Sequence, residues 1–409
     1  MAMHYGSCKL WVISILSIIS LMANGQQKVV EAVKKDINGL SLTTKSYKSA
    51  LDKLKPALTD DETKSKVETW YLAGKICFGY YDKSMIDKSV GSSIDKKSVG
   101  KILISGYEYF QQALKLDSVK LTRKDGSPII DKNGNIKYRT KYSREIKKNI
   151  INHLVDFSAV GGDLLIASDL DGAYQAWDIY CNEAKSDFAV RNKKAEVDTV
   201  VGYYRYYQGI AAYQNKKYSQ ASYQFENAYN LGFKSKDLYD NWIGSLIQSK
   251  DSDKVVVIAN EANALFGDKD SKYTNILINS YLNQNNYKQA STLLDKAIGR
   301  DSVNVEYIDL KGQLVEKMHG VDQAIPYYKK AVDMNPNFAR SLFNLGNSLY
   351  KQAIDNDKNN KEAIKLYKEA LPYLEKAYKL DTNNTDAKKI LSRIYYVLGS
   401  KKLDEIEKK

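Results

Sequence analysis

Residues 216–232 read KKYSQASYQFENAYNLG. Ala221, Phe225 and Ala228 follow one another at steps of four and three, the spacing that sets side chains on one face of an α-helix. Two alanines around one large residue is an unusual core stripe. The same slots hold Ala290, Leu294 and Ala297 in YKQASTLLDKAIGRDS, Ala324, Tyr328 and Ala331 in VDQAIPYYKKAVDMNP, and Ala370, Leu374 and Ala377 in YKEALPYLEKAYKLDTNN. A weaker copy, DKVVVIANEANALFG, has Val255, Ala259 and Ala262. The last alanines fall at 228, 262, 297 and 331, steps of 34, 35 and 34, and the next follows 46 residues later at 377. A fixed period of this length is the signature of a solenoid.

A second helical pattern precedes each of three copies: YYRYYQGIAAY with Gly209, YIDLKGQLVEK with Gly312, and SLFNLGNSLYK with Gly346. Gly209 and Gly312 each stand twelve residues before the first alanine of their copy. Glycine inside a helix costs roughly 1 kcal/mol relative to alanine, so its return implies another helix packed close against it. Small residues on both helices would let an antiparallel pair approach, with the large residue filling the gap.

These residues resemble the tetratricopeptide repeat family, whose pattern is a large residue at position 4, Leu-Gly at 7–8, a large one at 11, Ala at 20, an aromatic at 24, Ala at 27 and Pro at 32. Residues 305–338 match with Ile308, Gly312, Val315, Ala324, Tyr328, Ala331 and Pro336. Residues 202–235 and 271–304 match well, although Ile278 replaces the glycine; 236–269 are degenerate, and 339–384 carry an insertion. The resemblance implies an all-α fold, a right-handed superhelical α-solenoid of tandem antiparallel helix pairs. It divides the chain into five repeats over 202–384, degenerate repeats over 67–201, capping helices over 26–66, and closing helices over 385–409. In the degenerate part, Trp70 and Gly74 face Phe110 and Ala113, and Gly161 precedes Ala173 and Trp177. Between the first two groups, IDKSVGSSIDKKSVG reads as a mobile loop.

One segment breaks the helical pattern. In SPIIDKNGNIKYRTKY (127–142), Asn133-Gly134 marks a turn, and Ile136, Tyr138, Thr140 and Tyr142 alternate with Lys137, Arg139 and Lys141. The alternation predicts a β-hairpin-like insertion near 121–142 with one basic face. Asp131, Asn133 and Asn135 have the 1-3-5 spacing of a calcium loop, but Ile136 stands at its glycine and Tyr142 at its glutamate, so a hairpin turn is the better reading.

The first 25 residues differ from the rest. LWVISILSIISLM (10–22) is uncharged and apolar, Lys9 precedes it, and Ala23 and Gly25 form a small-x-small site. That is the pattern of a cleaved signal peptide over 1–25, with an uncleaved anchor or a different start as the alternatives. The expectation is an exported protein, periplasmic or otherwise in the cell envelope or secreted, with no membrane-spanning segment after cleavage. Cys77 and Cys181 then remain, both within helical patterns, and read as small buried residues rather than a bridge.

The net charge is +13, and residues 26–200 and 201–409 each carry a surplus of six. The excess reads either as a lysine-rich solvated surface or as affinity for an anionic partner, such as an envelope surface. Three solitary histidines, no HExxH, no CxxC, no phosphate-cradling glycine loop and no G-x-S-x-G leave no basis for an enzyme, a metal or a cofactor. The resemblance implies instead a groove lined by positions 2, 5, 9 and 12 of each first helix, taking a protein or peptide partner. Those positions carry Tyr203, Tyr206, Tyr213, Asp240, Asn275, Asn279, Asp309 and Gln313, then Arg340, Phe343, Asn347, Tyr350, Lys389, Arg393 and Tyr396. The alternative is a glycan- or cell-wall-binding module in which exposed tyrosines stack on sugars. Nucleic-acid binding is set aside because the chain reads as exported.

Overall fold

The computed structural model describes residues 25–39, 42–132, 134–267, 271–356 and 361–407. The apolar run at 10–22 and the first 24 residues of the signal expectation lie outside this range, as does Asn133 of the turn. The fold is all-α with one small β element, and it divides into two compact units, residues 1–250 and 251–409.

In the first unit the chain enters through a helix over 25–36 and the helix Thr44–Leu54, which a reciprocal Thr43/Ser46 capping box starts. Helix pairs follow: Val67–Ser89 with Lys96–Leu116, Leu154–Ile166 with Leu170–Glu183, and Asp198–Gln214 with Tyr218–Asn230. The unit closes on Lys236–Gln248. In the second unit Ser252–Phe266 leads to the pairs Lys272–Asn283 with Tyr287–Arg300, Val305–His319 with Val321–Met334, and Ala339–Asp355 with Lys361–Leu380. Thr385–Val397 and Lys402–Glu407 end it. The repeat expected at 236–269 thus contributes one helix to each unit.

The alanine–large–alanine stripes form the seams of these pairs. Ala221, Phe225 and Ala228 are wholly buried, and so are Ala324 and Ala331 beside Tyr328. The glycines work as the sequence implies. A Cβ on Gly209 would stand 2.5 Å from the ring of Phe225, and one on Gly312 would stand 2.6 Å from that of Tyr328. Each aromatic ring occupies the space that the facing glycine leaves.

The turn inside a repeat has a feature that the sequence hides. Lys216, Lys250 and Asn285 all take a left-handed backbone, with φ of 58°, 62° and 55°, and Gly320 follows at 91°. They lie 34 or 35 residues apart, one per repeat. At two of them the amide of the following residue reaches back to an earlier carbonyl, Lys217 to Ala212 at 2.9 Å and Asn286 to Tyr281 at 2.7 Å. This closes the first helix with a Schellman-type turn.

The Ser/Gly/Lys stretch at 86–100 is mostly helix rather than the expected mobile loop. Its first copy, Ile86–Ser89, ends one helix, where Asp87 pairs with Lys83 at 3.0 Å. In the second copy Asp95 accepts from the amides of Lys97 and Ser98 at 3.1 and 3.2 Å and starts the next. Only about six residues remain between. The insertion in 339–384 is likewise largely absorbed by longer helices, since Ala339–Asp355 has 17 residues and Lys361–Leu380 has 20.

The expected hairpin is a more closed object. Val119–Lys120 pairs antiparallel with Tyr138–Arg139, and isolated bridges join Thr122 to Pro128 and Ile130 to Ile136. Its centre is a ring of three backbone bonds: Leu121 N to Lys137 O (2.9 Å), Ile129 N to Leu121 O (2.9 Å) and Lys137 N to Ile129 O (2.7 Å). The three segments recur every eight residues and close on one another.

One carboxylate anchors this β unit. Asp117 is 3% exposed and accepts from the amides of Lys141 (2.9 Å), Tyr142 (2.8 Å) and Ser143 (2.7 Å) and from Ser143 Oγ (2.6 Å). It therefore caps the helix Ser143–Asn152 from outside that helix. Burial raises its pKa, but these donors outweigh burial and hold the carboxyl below the usual range. Tyr142 then stacks on Tyr71, with ring centroids 4.2 Å apart.

Candidate partner-binding surfaces

The groove positions fall into distinct environments. In the first unit Tyr203 and Tyr206 join Tyr204, Tyr207 and Phe233 in an aromatic cluster. Tyr203 meets Tyr207 edge-on at 4.8 Å, and Tyr206 lies 5.3 Å from Phe233. Only Tyr203 of the pair is exposed, at 42%. Tyr206 accepts a hydrogen bond from Asn241 at 3.2 Å. Burial and nearby Asp237 raise its pKa against the pull of that bond. Tyr213 packs edge-on against Tyr218 at 5.5 Å, and Asp240 pairs with Lys236 at 3.0 Å.

In the second unit Asn275 and Asn279 are exposed one turn apart on the helix Lys272–Asn283. Their amides offer both donor and acceptor to a peptide backbone. Asn347 is half-buried, and Phe343 packs against the core beside it.

Asp309 does not offer a groove contact. Its side chain is wholly buried and accepts from Arg340 Nε (2.7 Å), Gln313 Nε2 (2.8 Å), Ser341 Oγ (2.7 Å) and Asn344 Nδ2 (3.0 Å). It is a structural node that ties the helix Val305–His319 to Ala339–Asp355, and it engages Gln313 and Arg340 as well. A buried carboxylate needs such donors, because an unpaired charge away from water is very costly.

The last groove residues converge. Tyr350, Arg393 and Tyr396 line one cleft of about 580 Å³ with Ile354, Tyr367, Ser392, Val397 and Leu403. Arg393 Nη1 donates to Tyr350 Oη at 3.4 Å, and Tyr396 is 77% exposed. Lys389 stands away from the cleft, beside Asp386 at 3.6 Å. The cleft has apolar and aromatic walls and one cationic head, and its volume lies within the range of ligand pockets, about 300–1,000 Å³. Ser392, Arg393, Tyr396 and Val397 fall at steps of one, three and one along one helix, so that face was legible. Ile354, Tyr367 and Leu403 come from neighbouring elements and had no local signal.

Cys77 and Cys181 are free and buried, and burial pushes each thiol up to about 12. Among the described residues no group of three or more His, Cys, Asp or Glu side chains could hold a metal ion. Among them, too, no helix is long and apolar enough to cross a membrane.

Comparison with known families matches residues 310–379 to the tetratricopeptide repeat. No curated protein matches the chain. Among solved structures, MamA MSR-1 is similar at 22% identity over 46% of this chain and 99% of that one, with a TM-score of 0.34. The C-terminal part of a TPR repeat-containing protein from Cytophaga hutchinsonii is similar at 15% identity over 61% of this chain and 92% of that one, with a TM-score of 0.41.

Proposed function

We propose that this chain, whose residues 310–379 match the tetratricopeptide repeat, a fold that holds protein partners, is a non-enzymatic scaffold of the cell envelope. Its partner is a protein or peptide, and the second unit carries the contact. The cleft of Tyr350, Arg393 and Tyr396 supports this reading most directly, because groove positions from the helices Ala339–Asp355 and Thr385–Val397 meet there. An aromatic or aliphatic side chain fits its walls, and Arg393 can donate to a neighbouring carbonyl or carboxylate. Asn275, Asn279 and Asn347 supply further backbone contacts. Export rests on the apolar run at 10–22 with its small-x-small site.

The glycan alternative needs flat ring faces open to solvent. The tyrosines at 203–207 instead pack edge-to-face against one another, which favours the protein reading. A crosslinking pull-down from envelope extract tests the choice. The bait begins at Gln26, beside two variants: Arg393→Ala/Tyr396→Ala and Asn275→Ala/Asn279→Ala/Asn347→Ala. A protein held by the wild type and lost by either variant supports the groove. Unchanged capture by both refutes it, and recovery of wall glycan in place of protein transfers the function to the alternative.

A further inference from the structure

We propose that the β unit at 118–142 is an electrostatic and apolar foot that docks on an anionic lipid surface. The inference rests on three observations. First, charge is concentrated there: the segment holds Lys120, Arg123, Lys124, Lys132, Lys137, Arg139 and Lys141 against only Asp125 and Asp131. All seven cations are exposed. Elsewhere lysines commonly sit beside carboxylates, as Lys96 does with Asp163 and Lys101 with Asp169. Among the described residues Lys120, Lys137 and Arg139 have no such partner. Both acids are engaged within the unit, Asp125 by Ser127 and Asp131 by the amide of Asn135.

Second, the same segment exposes apolar side chains: Val119 at 51%, Ile130 at 50%, Ile136 at 37% and Tyr138 at 53%. A soluble polyanion would use the cations alone and leave these residues in water. Headgroups over acyl chains use both, since anionic lipids attract the cations while Ile and Tyr settle at the interface. Third, the unit is built to carry load. The closed ring through Leu121, Ile129 and Lys137 fixes its shape, and Asp117 fixes its base to the helices.

Flotation of the full chain with vesicles tests this. One set is phosphatidylcholine alone; the other contains about a third phosphatidylglycerol. Residues 10–22 would bring the chain to either set, so the difference between the two reads the foot. A preference for the anionic set that vanishes by roughly 0.5 M salt is expected. Each cation near such a surface contributes about five-fold, so Lys120→Gln/Lys137→Gln/Arg139→Gln should reduce the preference roughly a hundred-fold. Ile130→Ser/Ile136→Ser/Tyr138→Ser should weaken the preference for the anionic set and leave binding to heparin unchanged. Unaltered helical circular dichroism shows that the helices of both variants assemble, and unchanged hydrogen-exchange protection of the Leu121, Ile129 and Lys137 amides shows that the β unit keeps its ring.

Equal binding of the wild type to the two vesicle sets overturns the proposal. So does an apolar variant that keeps the full preference for the anionic set, which would assign the cations to a soluble polyanion. The pull-down on the second unit is unaffected by either result, so this foot and the partner groove stand or fall separately.

Discussion

Gly161 and Gly162 are neighbours on the helix Leu154–Ile166, and replacing each with alanine should have opposite effects. Both changes gain helix propensity, about 1 kcal/mol each. At Gly162 nothing lies within 4 Å of the new Cβ, so the gain stands. At Gly161 the Cβ would meet the Trp177 indole, 2.5 Å from Cε2 and 2.7 Å from Cδ1. Carbon contacts want about 3.5–4.0 Å, so the ring must move by roughly 1 Å. Trp177 is 3% exposed and has no open side to move toward. Overpacking of this kind costs about 1–3 kcal/mol. The shift also disturbs the bond from Trp177 Nε1 to the Ser158 carbonyl, 3.1 Å long, for another ~1 kcal/mol. Subtracting the propensity gain leaves Gly161→Ala destabilising by about 2 kcal/mol and Gly162→Ala stabilising by about 0.5–1 kcal/mol. Urea unfolding followed by helical circular dichroism measures both. In a Trp177→Leu background the cost at Gly161 should largely disappear. If Gly161→Ala stabilises as much as Gly162→Ala in the wild-type background, the close-approach account of these glycines is wrong.

Asp309→Ala strands Arg340, Ser341 and Asn344 around an empty site and should cost about 2–3 kcal/mol, discounted because Arg340 is itself half exposed; a denaturation midpoint shift of less than a quarter of that would show the node is dispensable. Lys216→Gly relieves a left-handed lysine and should stabilise the first unit by about 0.5–1 kcal/mol, read from the same melts. His153 gives a pH signature. Burial lowers its pKa, but Asp82 at 2.9 Å, the Asn149 carbonyl at 2.8 Å and nearby Asp156 outweigh burial and raise it above 6.5. The stability it adds is therefore full below 6.5 and fades as pH rises through the higher folded value. Asp82→Asn should flatten stability across that window, and an unchanged slope would remove the pair from the account.

The repeat was legible because its signal is repeated chemistry at a fixed step. The stripes at Ala290/Leu294/Ala297 and Ala370/Leu374/Ala377 are buried as their spacing implies. The left-handed turns escaped notice because Lys216 and Lys250 are long polar residues, and the penalty they carry is small enough for the surrounding helices to impose. The β unit was half visible. Its second turn has the Asn-Gly signature, but the first, Asp125-Gly126, joins segments only two or three residues long, and closure of three such segments has no local periodicity. Asp309 was placed on the groove by position alone. An acidic residue on a helix reads the same whether it faces water or a ring of donors, and three of the four donors lie 31, 32 and 35 residues away in sequence.

Because Asp117 binds the amides of Lys141, Tyr142 and Ser143, the chain leaves the helical stack and returns to it at a single clasp. Everything between is topologically a side branch. Its length and chemistry can change without altering the register of any helix before or after it, provided the clasp survives. That makes the site a port for exchange: a different 23-residue insert could be grafted between Asp117 and Lys141, or a short glycine bridge could replace the native one, and the helices should assemble as before.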